Sequence, residues 1–155
     1  MDQNLPAALL RRIEELVDAS YSGRDELYAA ADQLTQEDHR QICQRLADQL
    51  ANHATELQQL LLINEQVPVE PLDLYEIAER FFEIAKARDG EFGVLKTAEE
   101  CEKVVRERLE EVIQEANEGD THSLLERQRN DVVFGEQVLR SMRIASDGET
   151  AKLDE

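Results

Sequence analysis

The sequence predicts an all-α protein: a four-helix bundle with one long crossover, between the second and third long helices, that contains an extra short helix. Three observations carry this reading. Leu, Ala, Glu, Gln and Arg dominate the 155 residues, whereas Trp is absent and only four Phe and three Tyr occur, a mixture that favours helix over strand. Apolar residues recur at three- and four-residue steps through most of the chain, the period of amphipathic helices. Six Gly and three Pro leave too few tight turns for an all-β fold. The length suits one domain, read here as residues 1–145, followed by an acidic flexible tail over 146–155.

The first helix is expected from about Pro6 to Leu34, with Leu9, Ile13, Leu16, Val17, Leu27 and Ala31 on its stripe. Pro6 suits a first-turn position, where a missing N–H is no loss. Thr35-Gln36-Glu37-Asp38 then announces the second helix as a capping-box-like start with acids in the positive first turn. Its stripe is Ile42, Leu46, Leu50, His53, Leu57, Leu60 and Leu61, and it ends near Asn64. Val67-Pro68-Val69-Glu70-Pro71 breaks the pattern, because a residue preceding proline is pushed out of helical geometry.

A short amphipathic helix is expected over about 72–87, with Leu74, Ile77, Ala78, Phe81, Phe82 and Ala85 as its apolar side. Some 16 residues at 1.5 Å each span about 24 Å, enough to carry the chain toward the other end of a bundle. Asp89 to Gly93 ends this helix, and a third long one follows from about Val94 to Asn117 along Leu95, Ala98, Val105, Leu109, Val112 and Ala116. Glu118-Gly119-Asp120 makes the last turn, and Asp120 or Thr121 caps a final helix bearing Leu124, Leu125, Val132, Phe134, Val138, Leu139 and Met142.

The charge restricts partners. With 35 acidic against 17 basic side chains, the formal charge is −18, which argues against direct binding to nucleic acid or an anionic membrane surface. No apolar run approaches the ~20 residues needed to span a bilayer, and the N-terminus lacks the basic start and apolar core of a signal peptide. Cys43 and Cys101 are too few for a disulfide framework and read as buried thiols of a reducing compartment. The expected location is the cytoplasm.

Each long stripe is interrupted near its midpoint. Ser20, Gly23 and Arg24 stand where the first helix should place core residues, as do Gln49 and His53 in the second. Glu102 lies seven residues from both Leu95 and Leu109 and so shares their seam, and the fourth helix contributes Gln128, Asp131 and Gly135. Four such gaps at similar depth would build a polar layer inside the bundle, where helical bundles place metals and cofactors.

The layout resembles the ferritin-like superfamily, in particular its small bacterial stand-alone bundles. The stretches that carry the likeness are Glu15-Leu16-Val17-Asp18 through Ser22-Gly23-Arg24 to Tyr28-Ala29-Ala30-Ala31, then Leu46-Ala47 to Ala54-Thr55-Glu56-Leu57, Leu95 to Glu102, and Leu124 to Gln128. The resemblance implies a di-iron site built from one Glu on each of two helices and a Glu-x-x-His on each of the others. Here the motif is degenerate. The residues three before the only histidines are Gln36, Leu50 and Gly119, and the first-helix carboxylate position falls on Arg24. A cation there would repel iron. The expectation is therefore no cofactor, with Arg24 and Glu102 paired inside the bundle and Gln49, His53, Gln128 and Asp131 completing a polar core network.

Plainer roles compete for the same residues. A small phase shift puts Glu102 at the core boundary with Arg106 as its i,i+4 partner, and His53 then serves as a core histidine with one hydrogen bond. No nucleophile elbow or phosphate loop is present. The leading expectation is a non-enzymatic ferritin-like bundle acting as a structural or interaction module, partnered by another protein or by itself, with Phe81 and Phe82 at the interface. A metal-binding bundle for iron storage or oxidoreduction, with iron or another divalent metal held through His53 and Glu102, is the first alternative. An acidic regulator covering a basic partner surface is the second.

Overall fold

The computed structural model describes residues 2–153, with side chains described through 147. Among the described residues helix is the only regular structure, without strands, in four elements: α1 (Ala7–Asp32), α2 (Glu37–Ile63), α3 (Tyr75–Glu115) and α4 (Gly119–Leu153). Pro6 sits one position outside α1, in extended geometry, and its carbonyl accepts the Leu10 N–H at 3.0 Å. The acids Glu37 and Asp38 occupy the first turn of α2, but no side chain caps it. Thr35 instead turns outward and donates its hydroxyl to Glu91 at the start of the descending part of α3 (2.7 Å). The expected capping box is thus replaced by a tertiary contact.

At the other end of α2, Asn64 is buried and closes the bundle. Its Nδ2 donates to the Leu60 carbonyl (2.9 Å) and its Oδ1 accepts the Leu5 N–H (3.0 Å). The chain after it runs back along α2: Gln58 donates to the Val69 carbonyl (2.6 Å) and accepts the Val69 N–H (2.9 Å). It reaches the later turns of α1, where Asp25 accepts the Leu74 N–H at 3.1 Å.

The segment expected as a separate helix over 72–87 is the first arm of α3. The helical run passes through Gly90, whose φ of 66° and ψ of −154° are non-helical. That geometry is open essentially only to glycine. It reverses the chain so tightly that a Cβ on Gly93 would lie 2.7 Å from the carbonyl oxygen of Ala85. The second arm, 91–115, descends the bundle until Glu115 meets Arg12 at 3.5 Å, near the start of α1. α4 then climbs, its first turn held by Asp2, which accepts the Thr121 N–H at 2.9 Å, and its later turns by Arg143, which donates to Glu99 at 2.7 Å. Its helix continues to Leu153. Of the acidic tail expected over 146–155, residues 154 and 155 lie outside the described residues, as do the side chains from 148 onward.

α1 packs closely on α2 and α3, and α3 on α4, while α2 and α4 meet only sparsely. Ile13, Leu16, Leu50, Leu57, Leu95 and Leu139 are fully buried between them. Close approach has a local cause: a Cβ on Gly23 of α1 would lie 2.7 Å from Leu50 and 3.2 Å from Val105. Among the described residues, no helix is long and apolar enough to cross a membrane.

Candidate functional site

Two places combine unusual chemistry with a defined position: the polar spots of the interior and an apolar groove beside the first arm of α3. The interior does not form a single layer. Its first spot spans the wider seam between α2 and α4. His53 is 2 % exposed, and its Nε2 lies 3.0 Å from Asp131 Oδ2. Gln128, equally buried, donates to the His53 carbonyl at 3.2 Å. On the rim Arg127 pairs with Glu56. Burial pushes the His53 pKa down, and the hydrogen bond to Asp131 pulls it partly back. A neutral ring that donates Nε2–H to Asp131 leaves Nδ1 as a buried acceptor without a hydrogen-bond partner.

The second spot lies about two helical turns along the bundle, on α3. Glu102 is 1 % exposed, and neither carboxylate oxygen has a hydrogen-bond partner. Gly135 makes room for it: a Cβ there would sit 2.5 Å from Glu102 Oε2 and 3.1 Å from Leu46 Cδ2. Burial, reinforced by the charge of Glu136, pushes Glu102 up to about 8, so its neutral acid form dominates at neutral pH. Glu136, an anion itself, cannot compensate it, and the nearby cation Arg106 is taken up by Glu136, to which it donates at 2.6 Å. The thiol of Cys43 is pushed up to about 12, by burial first and by Glu102 second. A thiol so raised is a poor nucleophile at neutral pH.

Arg24 belongs to neither spot. Its guanidinium holds Asp25 at 3.0 Å and lies over the Tyr21 ring, 4.7 Å from the centroid. The expected Arg24–Glu102 pair does not form, because consecutive helical residues point 100° apart and Asp25 turns Arg24 toward the side of the bundle. Arg106 is no partner for Glu102 either, since it binds Glu136 and Glu110. Gln49 is half-buried and takes no part in the hydrogen bonds of the His53 cluster. Of the six residues expected to form one network, His53, Gln128 and Asp131 come together, and Arg24, Gln49 and Glu102 do not join them. Among the described residues, no three His, Cys, Asp or Glu side chains converge in a way that could hold a metal ion.

The groove was not foreseen. Ile77, Phe81 and Ile84 follow one another at i, i+4 and i+7 on the first arm of α3 and are 69 %, 58 % and 58 % exposed. Ala78 and Phe82, one residue on, are the side that packs inward. Phe81 and Phe82 therefore split: Phe82 is core, a correction to its expected place at an interface, and Phe81 stands out. Their rings meet edge to face, centroids 6.1 Å apart, which fixes how Phe81 projects. Beside this ridge, Val104 of the second arm and Glu26 of α1 border a groove of ≈ 380 Å³. Asp25 was also missed; by accepting the Leu74 N–H it sets where the first arm begins. The available signal was the phase of Ile84, which extends Ile77 and Phe81 into a second apolar stripe that a single core-facing side does not need.

Compared with known proteins, the sequence matches no protein-family model and no curated protein.

Proposed function

We propose that this chain is a non-enzymatic, ferritin-like helical bundle that works as a protein-interaction module. Its docking surface is the outward ridge of the first arm of α3. The observation that carries the reading is that ridge: Ile77, Phe81 and Ile84 lie exposed in consecutive turns, and a contiguous apolar patch on an otherwise highly charged chain marks a contact surface. The ferritin-like part draws support from the chain path. α2 and the second arm of α3 run in the same direction, so the connection between them must travel the length of the bundle, as in one-crossover bundles.

In this reading the interior took a different course from a metal site. The places of its ligands are held by a hydrogen-bonded His53–Asp131–Gln128 cluster and by a Glu102 kept in the acid form, while Arg24 serves α1 and Asp25. The test is capture of partners by the tagged full chain. Wild type should retain a defined partner, or a defined oligomer by light scattering. Ile77→Ser/Phe81→Ser should lose it, and Phe134→Ser, on the exposed face of α4, should keep it. Equal capture by all three, or stoichiometric iron, manganese or zinc in the purified chain, would refute the proposal.

A further inference from the structure

The groove beside the ridge differs from an ordinary hydrophobic contact in one respect: its border is acidic. Glu26 and Glu100 line it together with Ile77, Phe81 and Val104, and no basic side chain does. Glu26 is half-buried, shares a hydrogen bond with Cys101 and faces the further negative charge of Asp25. Asp25 has its own cation in Arg24, whereas among the described residues no ion pair neutralises Glu26. A carboxylate part-way into an apolar groove without a counter-ion is costly, and the cost is recovered when a cation arrives with apolar surface around it.

We infer that the groove receives an amphipathic helix of a partner protein that carries a lysine or arginine within its apolar stripe, directed at Glu26. This rests on the reading of the chain as an interaction module and adds to it the chemistry of the partner. A second copy of this chain is a poor occupant. Its ridge would bring Arg80 and Arg88 as well as Asp73, Glu76 and Glu83 against Glu26 and Glu100, so what tells against self-docking is the net charge of −18 that each copy carries. A basic helix gains from the same field. The shape agrees: a ridge at i, i+4 and i+7 beside a groove is the complement of a helix with the same spacing. Burial holds the Glu26 carboxyl above its ordinary range, so a bound cation would also draw it back into the ionised form.

The test uses two synthetic 18-residue peptides on the isotope-labelled full chain, at pH 8 and in enough salt to screen distant charges. Both carry leucines at i, i+4, i+7 and i+11 among alanine and glutamine; one has a central lysine within the stripe and the other glutamine at that place. The lysine peptide should shift the amides of Ile77, Phe81 and Val104 and bind about tenfold or more tightly than its twin. Glu26→Gln should erase the difference while leaving the weaker, apolar binding. Equal affinities on the wild-type chain, with shifts still at the groove, would sink the inference about charge and leave the interaction surface standing. Shifts spread over other acidic faces, or no binding by either peptide, would overturn both the groove and its occupant. The comparison of the two peptides on unmodified protein keeps the result readable even if Glu26→Gln perturbs folding.

Discussion

His53 and Glu102 interrupt their helices in the same manner, yet their surroundings treat them oppositely. Around His53 the chain supplies partners: Asp131 for a ring nitrogen and Gln128 for the carbonyl. Around Glu102 it supplies only space, left by the missing side chain of Gly135. One polar group was accommodated by hydrogen bonding, the other by giving up its charge. Burial of a titratable side chain therefore does not by itself announce a functional centre. What matters is whether other groups converge on it, and on Glu102 none do.

The largest expected effect tests the uncompensated side of this contrast. Glu102→Met should raise stability by about 1–4 kcal/mol at neutral pH, since apolar replacement of a buried ionisable group is often stabilising; denaturant unfolding reads it directly. The pH dependence has a definite sign. A carboxyl with pKa 4.5 when unfolded and about 8 when folded binds more protons in the folded state across that window. Its contribution to stability is therefore full below 4.5, declines as pH rises, and levels off above about 8. The gap between Glu102→Met and wild type should widen over the same interval. A gap independent of pH would place the carboxylate in contact with water.

Next in size is Gly135→Ala, expected to cost about 1–3 kcal/mol by overpacking against Glu102 and Leu46. Combined with Glu102→Ala, the same change should cost measurably less, and strict additivity in that double-mutant cycle would mean the two residues do not share the space. On the satisfied side, Asp131→Ala strands the His53 Nε2–H and should cost about 1–3 kcal/mol. It should also depress the His53 pKa further, followed by NMR of the ring. His53 titrates oppositely to Glu102: its folded pKa lies below the ordinary value of 6.5, so its contribution is lost as pH falls from that value toward the lower one. Smallest of all, Arg12→Ala removes exposed ion pairs to Glu111 and Glu115 and should change stability by no more than ~0.5 kcal/mol.

The helical periods made α1, α2, the descending arm of α3 and α4 legible before any coordinates, because each buries a stripe whose spacing is visible in the residues. Two features were not. Gly90 read as the end of a helix, since a glycine signals a break without saying at what angle the chain resumes. The fold-back became visible only from the approach of Gly93 to Ala85. The interior was half legible for a similar reason. Seven-residue spacing marks Glu102 as a seam position, and its side chain is buried, but which polar residues meet depends on rotation about each helix axis. A rotation of one residue separates Arg24 from the core and commits it to Asp25. On the first arm, Ile77 counted with the core side because apolar periodicity does not reveal that a helix lies on the outside of a bundle with only one side covered.

The sharp reversal at Gly90 makes the architecture depend on a single residue. Any side chain there meets open space, so the penalty for substitution is purely conformational. Relieved of the turn, the 41 residues of α3 would favour one straight rod of about 60 Å. The first arm would then be drawn off the bundle, and Ala78 and Phe82, now buried, would meet water.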